Sequence, residues 1–513
     1  MKNIVIVGSG TAGVLSAAIC RKIWKYNANV SVYYDSQKKC IGVGESAAPG
    51  IIEFLDDFLG LSIEDILRIS GTTLKLGIRY KNWIPDDEYF HGLDELPEGD
   101  HDDHGYSCGN ALYSLPKDLY NGGMNFQIST GTKVPDKDLS DYIPTIHIDT
   151  QEFIDHIIEL LKKDDMYGKP VNFIDDKIEK VNVDNNIITS IECKNSGEVT
   201  ADCFIDASGF ERILFKHLNS KWISLSKVFP VDRAITYNIN LKESDDIRSY
   251  TLAEATDNGW IWGIPIGRTY STGYIYSSKF TSEQEAKEKY NNWLLKNYNT
   301  ELKFEKIIEF NPGYYEDAFI GNCKAIGLSS GFIEPLEATG LQLVINQLED
   351  FVRQNISLKN LKHDVRVLNH RNRIDYDHIS RFVALHYATN RTDSEFWKYM
   401  TNNKIQFVKD FEEKCNEDFL DIGDEDDILE SWTIDSWIQI AHGLNMFNKE
   451  SLSDFIDSKN WNIRTIGGEE HDNKKDILKT YKKMYAKIEK KKKSYNWISH
   501  QQFLESLQNN ADK

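Results

Sequence analysis

Three glycines near the start of the chain are spaced to hold a phosphate. Gly8, Gly10 and Gly13 form G-x-G-x-x-G within GSGTAG, with Thr11 and Ala12 completing the turn. The first glycine of such a motif permits a tight turn. The second lets the backbone approach a pyrophosphate, and the third lets helix and strand pack closely. The helix that follows offers free N–H groups and a partial positive charge. Asp35 lies about twenty residues on, at the end of the next apolar run, where a carboxylate accepts hydrogen bonds from a ribose. The motif, with a strand before it, a helix after it and this acid, predicts a dinucleotide site.

Two further segments fit the same purpose. IDASGF places Asp206 and Ser208 after a buried strand, similar to the second nucleotide contact of two-part FAD folds. GNCKAIGLSSGFIEP sets small residues, Gly327 among them, after an apolar strand, where a flat ring could come close. GWIWGIPIG carries Trp260, Trp262, Ile264 and Pro265. Tryptophans at i and i+2 on a strand share a face and form a rigid apolar wall, which taken alone describes a core face equally well. His101, Asp102, Asp103 and His104 are metal-ligand types, but their Gly- and Asp-rich setting reads as a solvated loop. Ser329 and Ser330 precede Gly331 as in a nucleophile turn, with no triad partner at a recognisable spacing. No metal site is predicted.

The elements that must position these residues follow from periodicity. NIVIV at residues 3–7 reads as a buried strand, followed by an Ala-rich helix to about Trp24 and a second strand at 30–35. Residues 72–83 alternate with period two. Leu74, Leu76, Ile78 and Tyr80 share one face, and Lys75, Gly77, Arg79 and Lys81 the other. Residues 84–145, rich in Asp, Gly, Pro and His, read as long excursions or a lid. Residues 152–163 read as an amphipathic helix, and 172–206 and 233–276 as strands. Helical patterning dominates from about 340, ending in an apolar stripe of Ile477, Tyr481, Met484 and Ile488. The expected fold is α/β. A Rossmann-like, two-part FAD-binding box spans 1–350, with an inserted substrate-facing sheet at about 72–145 and 230–310. A mostly helical lobe spans 351–513.

Composition narrows the function class. Sixty basic against eighty acidic residues give a net charge of −20, which disfavours nucleic-acid binding. No apolar run approaches the ~20 residues of a membrane span, and MKNIVIVGSG lacks signal-peptide organisation. Seven cysteines without a C-x-x-C fit reduced thiols in a cytoplasmic protein.

Together these motifs resemble the flavin-dependent tryptophan halogenases and their indole-halogenating relatives, over most of the chain. The W-x-W-x-I-P of that family is intact. GVGESAAP at 42–49, with Gly44, Glu45, Ser46 and Ala47, is similar to the family's G-V-G-E-A-T-x-P segment beside the flavin. FIEPLEATG at 332–340 resembles its P-L-E-S-T-G segment, and TLKLGIRYKNW its lysine-bearing strand. The resemblance implies that Lys75 is the catalytic lysine and Glu337 the essential glutamate. It implies a halide site of backbone N–H groups at Thr339 and Gly340, with Gly340 also beside the cofactor. Trp260, Trp262, Ile264 and Pro265 would be the barrier between substrate and flavin. HYATNRTDSEFW at 386–397 looks like a family segment of structural rather than catalytic meaning. Val14 stands where the family commonly has Trp, Ala338 where it has Ser, and residues 84–145 do not follow the tryptophan-specific members.

The implied chemistry is a relay. Reduced FAD and oxygen convert chloride, bromide or iodide into hypohalous acid. This reaches a separate chamber where Lys75 holds it by hydrogen bonding or captures it as a haloamine. Glu337 orients the lysine or accepts the proton of an electron-rich, indole-like ring. No nicotinamide domain is evident, so a separate flavin reductase would supply FADH2. A homo-oligomer is the default assembly. The competing expectation is a flavin-dependent aromatic monooxygenase, which shares the nucleotide motifs but needs neither the tryptophan wall nor Lys75 and Glu337. A non-catalytic FAD-binding scaffold is the other.

Overall fold

The computed structural model describes residues 1–38, 43–92, 132–135, 145–303, 306–355, 365–417, 432, 434–447 and 496–509. The His101–His104 cluster, most of the expected 84–145 excursion and the stripe at 474–493 lie outside them.

The first sheet has six strands in the spatial order Phe319–Ile320, Cys323–Ala325, Cys203–Asp206, Lys2–Val7, Ala28–Tyr34 and Asn172–Asp175. All its pairs are parallel except the first. Lys2–Val7 lies inside the sheet with Ile4 and Ile6 fully buried, as in a parallel sheet covered on both faces. The helix Thr11–Trp24 follows it and packs Val14, Leu15, Ala17 and Ala18 into the same core. Its small residues let it lie close to the sheet.

The second sheet has seven strands, in the order Lys306–Glu309, Arg233–Asn240, Thr269–Tyr276, Gly259–Ile266, Thr251–Thr256, Gly77–Lys81 and Glu88–Gly92. Along Gly259–Ile266 the side chains alternate between cores. Trp260, Trp262, Ile264 and Ile266 join one, and Ile261 joins the other. The helices Val365–His386, Glu395–Asn402, Gln406–Glu417 and Ile434–Gly443 cover the tryptophan face. Trp397 and Trp437 are packing residues there, and Trp432 stacks on Phe382 with ring centroids 4.8 Å apart. No helix among the described residues is long and apolar enough to cross a membrane.

The run 72–83 is not one strand. Thr73–Lys75 pairs with Thr145–Ile148, which pairs with Glu45–Ser46, whereas Gly77–Lys81 belongs to the seven-stranded sheet. The break falls at Leu76, whose N–H bonds the Ser249 carbonyl at 2.8 Å. Beyond it the chain is pressed against its neighbour: a Cβ on Gly77 would lie 2.4 Å from Phe90 and 2.5 Å from the His91 carbonyl oxygen. Lys75 therefore leaves the polar face that alternation assigns to it and is wholly buried, while Arg79 and Lys81 stay partly exposed and pair with Glu88 and Glu254. The C-terminal stretch is likewise not purely helical. Trp497–Ser499 pairs with Lys133–Pro135, and the helix His500–Asn509 returns to the N-terminal core through Phe503.

Candidate active site

At the N-terminal turn two glycines are sterically obligatory. A Cβ on Gly8, at φ +107°, would lie 2.4 Å from the Ala207 carbonyl oxygen, and one on Gly13 would lie 2.0 Å from that of Gly8. Gly10 differs. It caps the helix Thr11–Trp24 without a side-chain hydrogen bond, and a Cβ there would meet nothing within 4 Å. The helix N-terminus thus faces open ground, as an incoming phosphate requires. Gly327 reaches the same turn, its added Cβ 3.3 Å from that of Ala12. Asp35 is half-buried just past the second strand and accepts the Gln37 N–H at 3.0 Å.

Asp206 is occupied within the protein. It accepts from the Ser208 N–H and hydroxyl, from Ser329, and from the N–H groups of Leu214 and Phe215. Its carboxylate organises the strand exit, and Ser208 is held by the same bonds.

The segment Gly44–Ala47 joins three parts of the site. The Gly44 N–H donates to Ser271 Oγ at 3.0 Å, and its Cα packs against Ile266 and Ile264 so closely that an added Cβ would lie 2.9 Å from the former. Glu45 accepts from the Thr11 hydroxyl at 3.3 Å; burial pushes its carboxyl up to about 7 against that bond. Ser46 shares a hydrogen bond with Thr251 at 3.0 Å. The Ala47 carbonyl accepts from Lys75 Nζ at 2.8 Å. The lysine is therefore fastened to the segment that also touches the glycine turn and the tryptophan strand.

Burial pushes the Lys75 ammonium down to about 8, opposed by the negative charge of Glu337. Two histidines brace its strand. Thr73 donates to the Pro265 carbonyl at 2.8 Å, so its oxygen accepts from His147 Nδ1 at 3.2 Å, and His147 Nε2 accepts from Thr251 at 2.9 Å. Burial, with the nearby charges of Lys75 and His500, holds His147 well below its ordinary value. His500, from the C-terminal helix, accepts the Leu74 N–H at 3.1 Å.

Glu337 sits at φ +65° and Ala338 at φ +57°, consecutive non-glycine residues in the left-handed region. The carboxylate is buried and accepts from Tyr80 Oη, from His91 Nδ1 at 2.9 Å to each oxygen, and from His386 Nε2 at 3.0 Å. Burial alone would raise it, but the His91 and His386 rings overcome that and hold it well below the usual carboxylate range. His91 Nε2 has no hydrogen-bond partner among the described residues. No ion pair within 4.0 Å joins Lys75 to Glu337, although each lies in the other's field.

Trp260 Nε1 donates to Glu334 Oε2 at 2.9 Å, and Tyr387 donates to the same oxygen at 2.9 Å. Burial pushes Glu334 up to about 7 against these two bonds. Trp262 lies over Gly273, where an added Cβ would overlap its ring. Thr339 is buried, donates to the Glu334 carbonyl at 3.2 Å and opens the helix Thr339–Asn355. Next to it, Gly340 has open space around its Cβ direction. Among the described residues, no group of His, Cys, Asp and Glu is arranged to hold a metal ion.

A sequence profile described as tryptophan halogenase matches residues 3–457. The chain belongs to the tryptophan halogenase family. It is 27% identical over 438 residues to tryptophan 7-halogenase RebH of Lentzea aerocolonigenes, covering 81% of each. It is 26% identical to tryptophan 6-halogenase SttH of Streptomyces toxytricini, covering 77% of this chain and 80% of that one. Among solved structures, the flavin-dependent halogenase BrvH from Brevundimonas sp. BAL3 superposes with a TM-score of 0.79 at 23% identity, covering 99% of both chains. SttH superposes with a TM-score of 0.83 at 21% identity, covering 98% of this chain and 99% of that one. The fold is that of the flavin-dependent halogenases, and the chain is an enzyme of that family.

The fold gathers Thr11, Glu45, Ala47 and Lys75 along one connected path, and Glu334, Glu337 and Thr339 on one short segment. Tyr80, His91, His147, His386 and His500 escaped sequence reasoning. His386 opens the segment HYATNRTDSEFW, and its ring touches Glu337. Tyr80 and His91 are brought together by register: their strands pair with Ile78 opposite His91 and Tyr80 opposite Tyr89.

Proposed function

We propose that this halogenase uses FADH2 and oxygen to make hypohalous acid and delivers it through Lys75 to an electron-rich, indole-like aromatic ring. Its relatives named as tryptophan halogenases support an aromatic substrate. The described residues fit FAD: an uncapped helix N-terminus over open ground at Gly10, and Gly327 brought beside it. Gly8, Gly10, Thr11, Ala12 and Gly13 would hold the pyrophosphate and Asp35 the ribose. Gly44 to Ala47, Gly327 and Gly340 would border the ring system, with Asp206 and Ser208 supporting that floor from within. Bound and reduced, FAD supplies with oxygen the oxidising equivalents for halide.

The chain's own residues divide the remaining work. The N–H groups of Thr339 and Gly340, at the start of a long helix, hold the halide. Trp260, Trp262, Ile264 and Pro265 keep the organic substrate on the far side. Lys75 donates to the halogenating species, raising its effective concentration beside a fixed ring. Glu337 favours the charged lysine and takes the proton the ring releases.

The observation that carries this reading is the position of Lys75. It is wholly buried, fastened to the Gly44–Ala47 segment, and in the field of a carboxylate held by three side chains. The test supplies FAD, a flavin reductase, NADH and oxygen, and screens indoles and phenols with chloride, bromide and iodide by mass spectrometry. A halide-dependent mass gain is expected. A hydroxylated product independent of halide would assign a monooxygenase instead.

A further inference from the structure

Hydrogen-bond direction around Glu337 fixes where a proton lies. His386 Nδ1 is 2.9 Å from the Phe382 carbonyl oxygen, which can only accept, so Nδ1 carries hydrogen. The other ring nitrogen, Nε2, is 3.0 Å from Glu337 Oε1. A neutral ring with its hydrogen on Nδ1 would turn the Nε2 lone pair onto a carboxylate lone pair. Two acceptors do not hold that distance, so a proton stands between them. His91 needs no such proton, because a single Nδ1–H spans both carboxylate oxygens.

Three features place this proton on the ring rather than on the carboxylate. His386 is the last residue of the helix Val365–His386, where the axial dipole is negative and favours a cation. Its ring lies against Tyr80, with the centroids 5.1 Å apart, and an aromatic ring stabilises a cation nearby. Glu337 already accepts from Tyr80 and His91, which favours its ionised form.

We propose that His386 is a positioning residue acting through Glu337: the pair holds one proton on His386 Nε2, which keeps Glu337 an anion and leaves Oε2 as its less occupied oxygen. Oε1 accepts from Tyr80, His91 and His386, and Oε2 from His91 alone. The same bonds anchor the side chain of Glu337, which sits at φ +65° in the left-handed region. The other titratable groups facing this carboxylate are Lys75 on its own strand and Tyr89 beside His91; Glu334, on the segment of Glu337 itself, faces the adjacent Tyr80. The inference rests on reading Glu337 as the carboxylate of the halogenation chamber.

Two measurements test it. Nitrogen NMR of ring-labelled histidine, assigned with His386→Gln, reads the wild-type ring without turnover. Both nitrogens of His386 should carry hydrogen; an Nε2 without hydrogen would overturn the proposal. The pH profile of halogenation in His386→Gln then separates position from mere packing. Without the ring's charge Glu337 protonates more readily, so the acid limb should move to higher pH by at least one unit, about tenfold in proton affinity. A profile lowered uniformly at every pH would overturn it. A protonated ring in an enzyme that halogenates no substrate would sink the proposed function while leaving this proton placement intact.

Discussion

Lys75→Met should make the protein more stable at neutral pH while removing its product chemistry. The wild-type ammonium lies fully buried, and its value falls from 10.5 to about 8 because burial outweighs the Glu337 charge. That difference corresponds to ~3 kcal/mol spent holding the charge inside the folded chain. Methionine fills similar length without a charge, but the Ala47 carbonyl loses its donor, at about 1 kcal/mol. The net expected gain is ~2 kcal/mol at pH 7. The sign with pH follows from proton binding. Between pH 8 and 10.5 the unfolded chain holds more protons on this lysine than the folded one, so wild-type stability rises with pH across that window. The advantage of Lys75→Met should therefore be widest below pH 8, shrink above it, and reverse above about pH 10.5, where only the lost hydrogen bond of about 1 kcal/mol remains. Urea unfolding at pH 7 and pH 10, followed by tryptophan fluorescence, measures it. A variant less stable than wild type at pH 7, or a gap that ignores pH, would refute the reasoning.

Three other perturbations separate the parts of the site. Gly10→Ala meets open space and should fold normally while losing FAD affinity tenfold or more by titration, whereas Gly13→Ala strikes the Gly8 carbonyl and should itself cost about 1–3 kcal/mol. His500→Phe strands the Leu74 N–H, at ~1–3 kcal/mol, and should lower halogenation by loosening the lysine strand. Burial holds His500 down to about 4, so wild-type stability should fall as pH drops from 6.5 toward 4, and the variant should lack that component of the pH dependence in thermal unfolding. Glu334→Leu deprives Trp260 and Tyr387 of their acceptor; flavin oxidation without halogenated product should increase, measured as NADH consumed per product formed.

What the sequence made legible was local. Gly8, Gly10 and Gly13 sit within one turn, and the spacing of Gly8 and Gly13 encodes steric demands that the folded backbone meets. Trp260 and Trp262, read as sharing one face, do join a single core, because a strand has a fixed period. The same logic misplaced Lys75: a change of sheet at Leu76 resets the faces, and no propensity marks that change in a run that remains extended. The cage around Glu337 was illegible for a different reason. Tyr80, His91 and His386 come from two strands and a distant helix, and single histidines in apolar runs carry no spacing signal. His500 reaches Leu74 from near the other end of the chain, a pairing that only the folded-back C-terminal helix creates.

The central claim is that Lys75 delivers halogen at a chamber separate from the flavin site. The direct measurement is a single turnover of enzyme loaded with reduced FAD, mixed with oxygen, bromide and an indole the wild type accepts. Flavin reoxidation is followed by absorbance and product by mass spectrometry. For Lys75→Ala the account predicts reoxidation at the wild-type rate with no brominated indole. Brominated indole formed at the wild-type rate would contradict it.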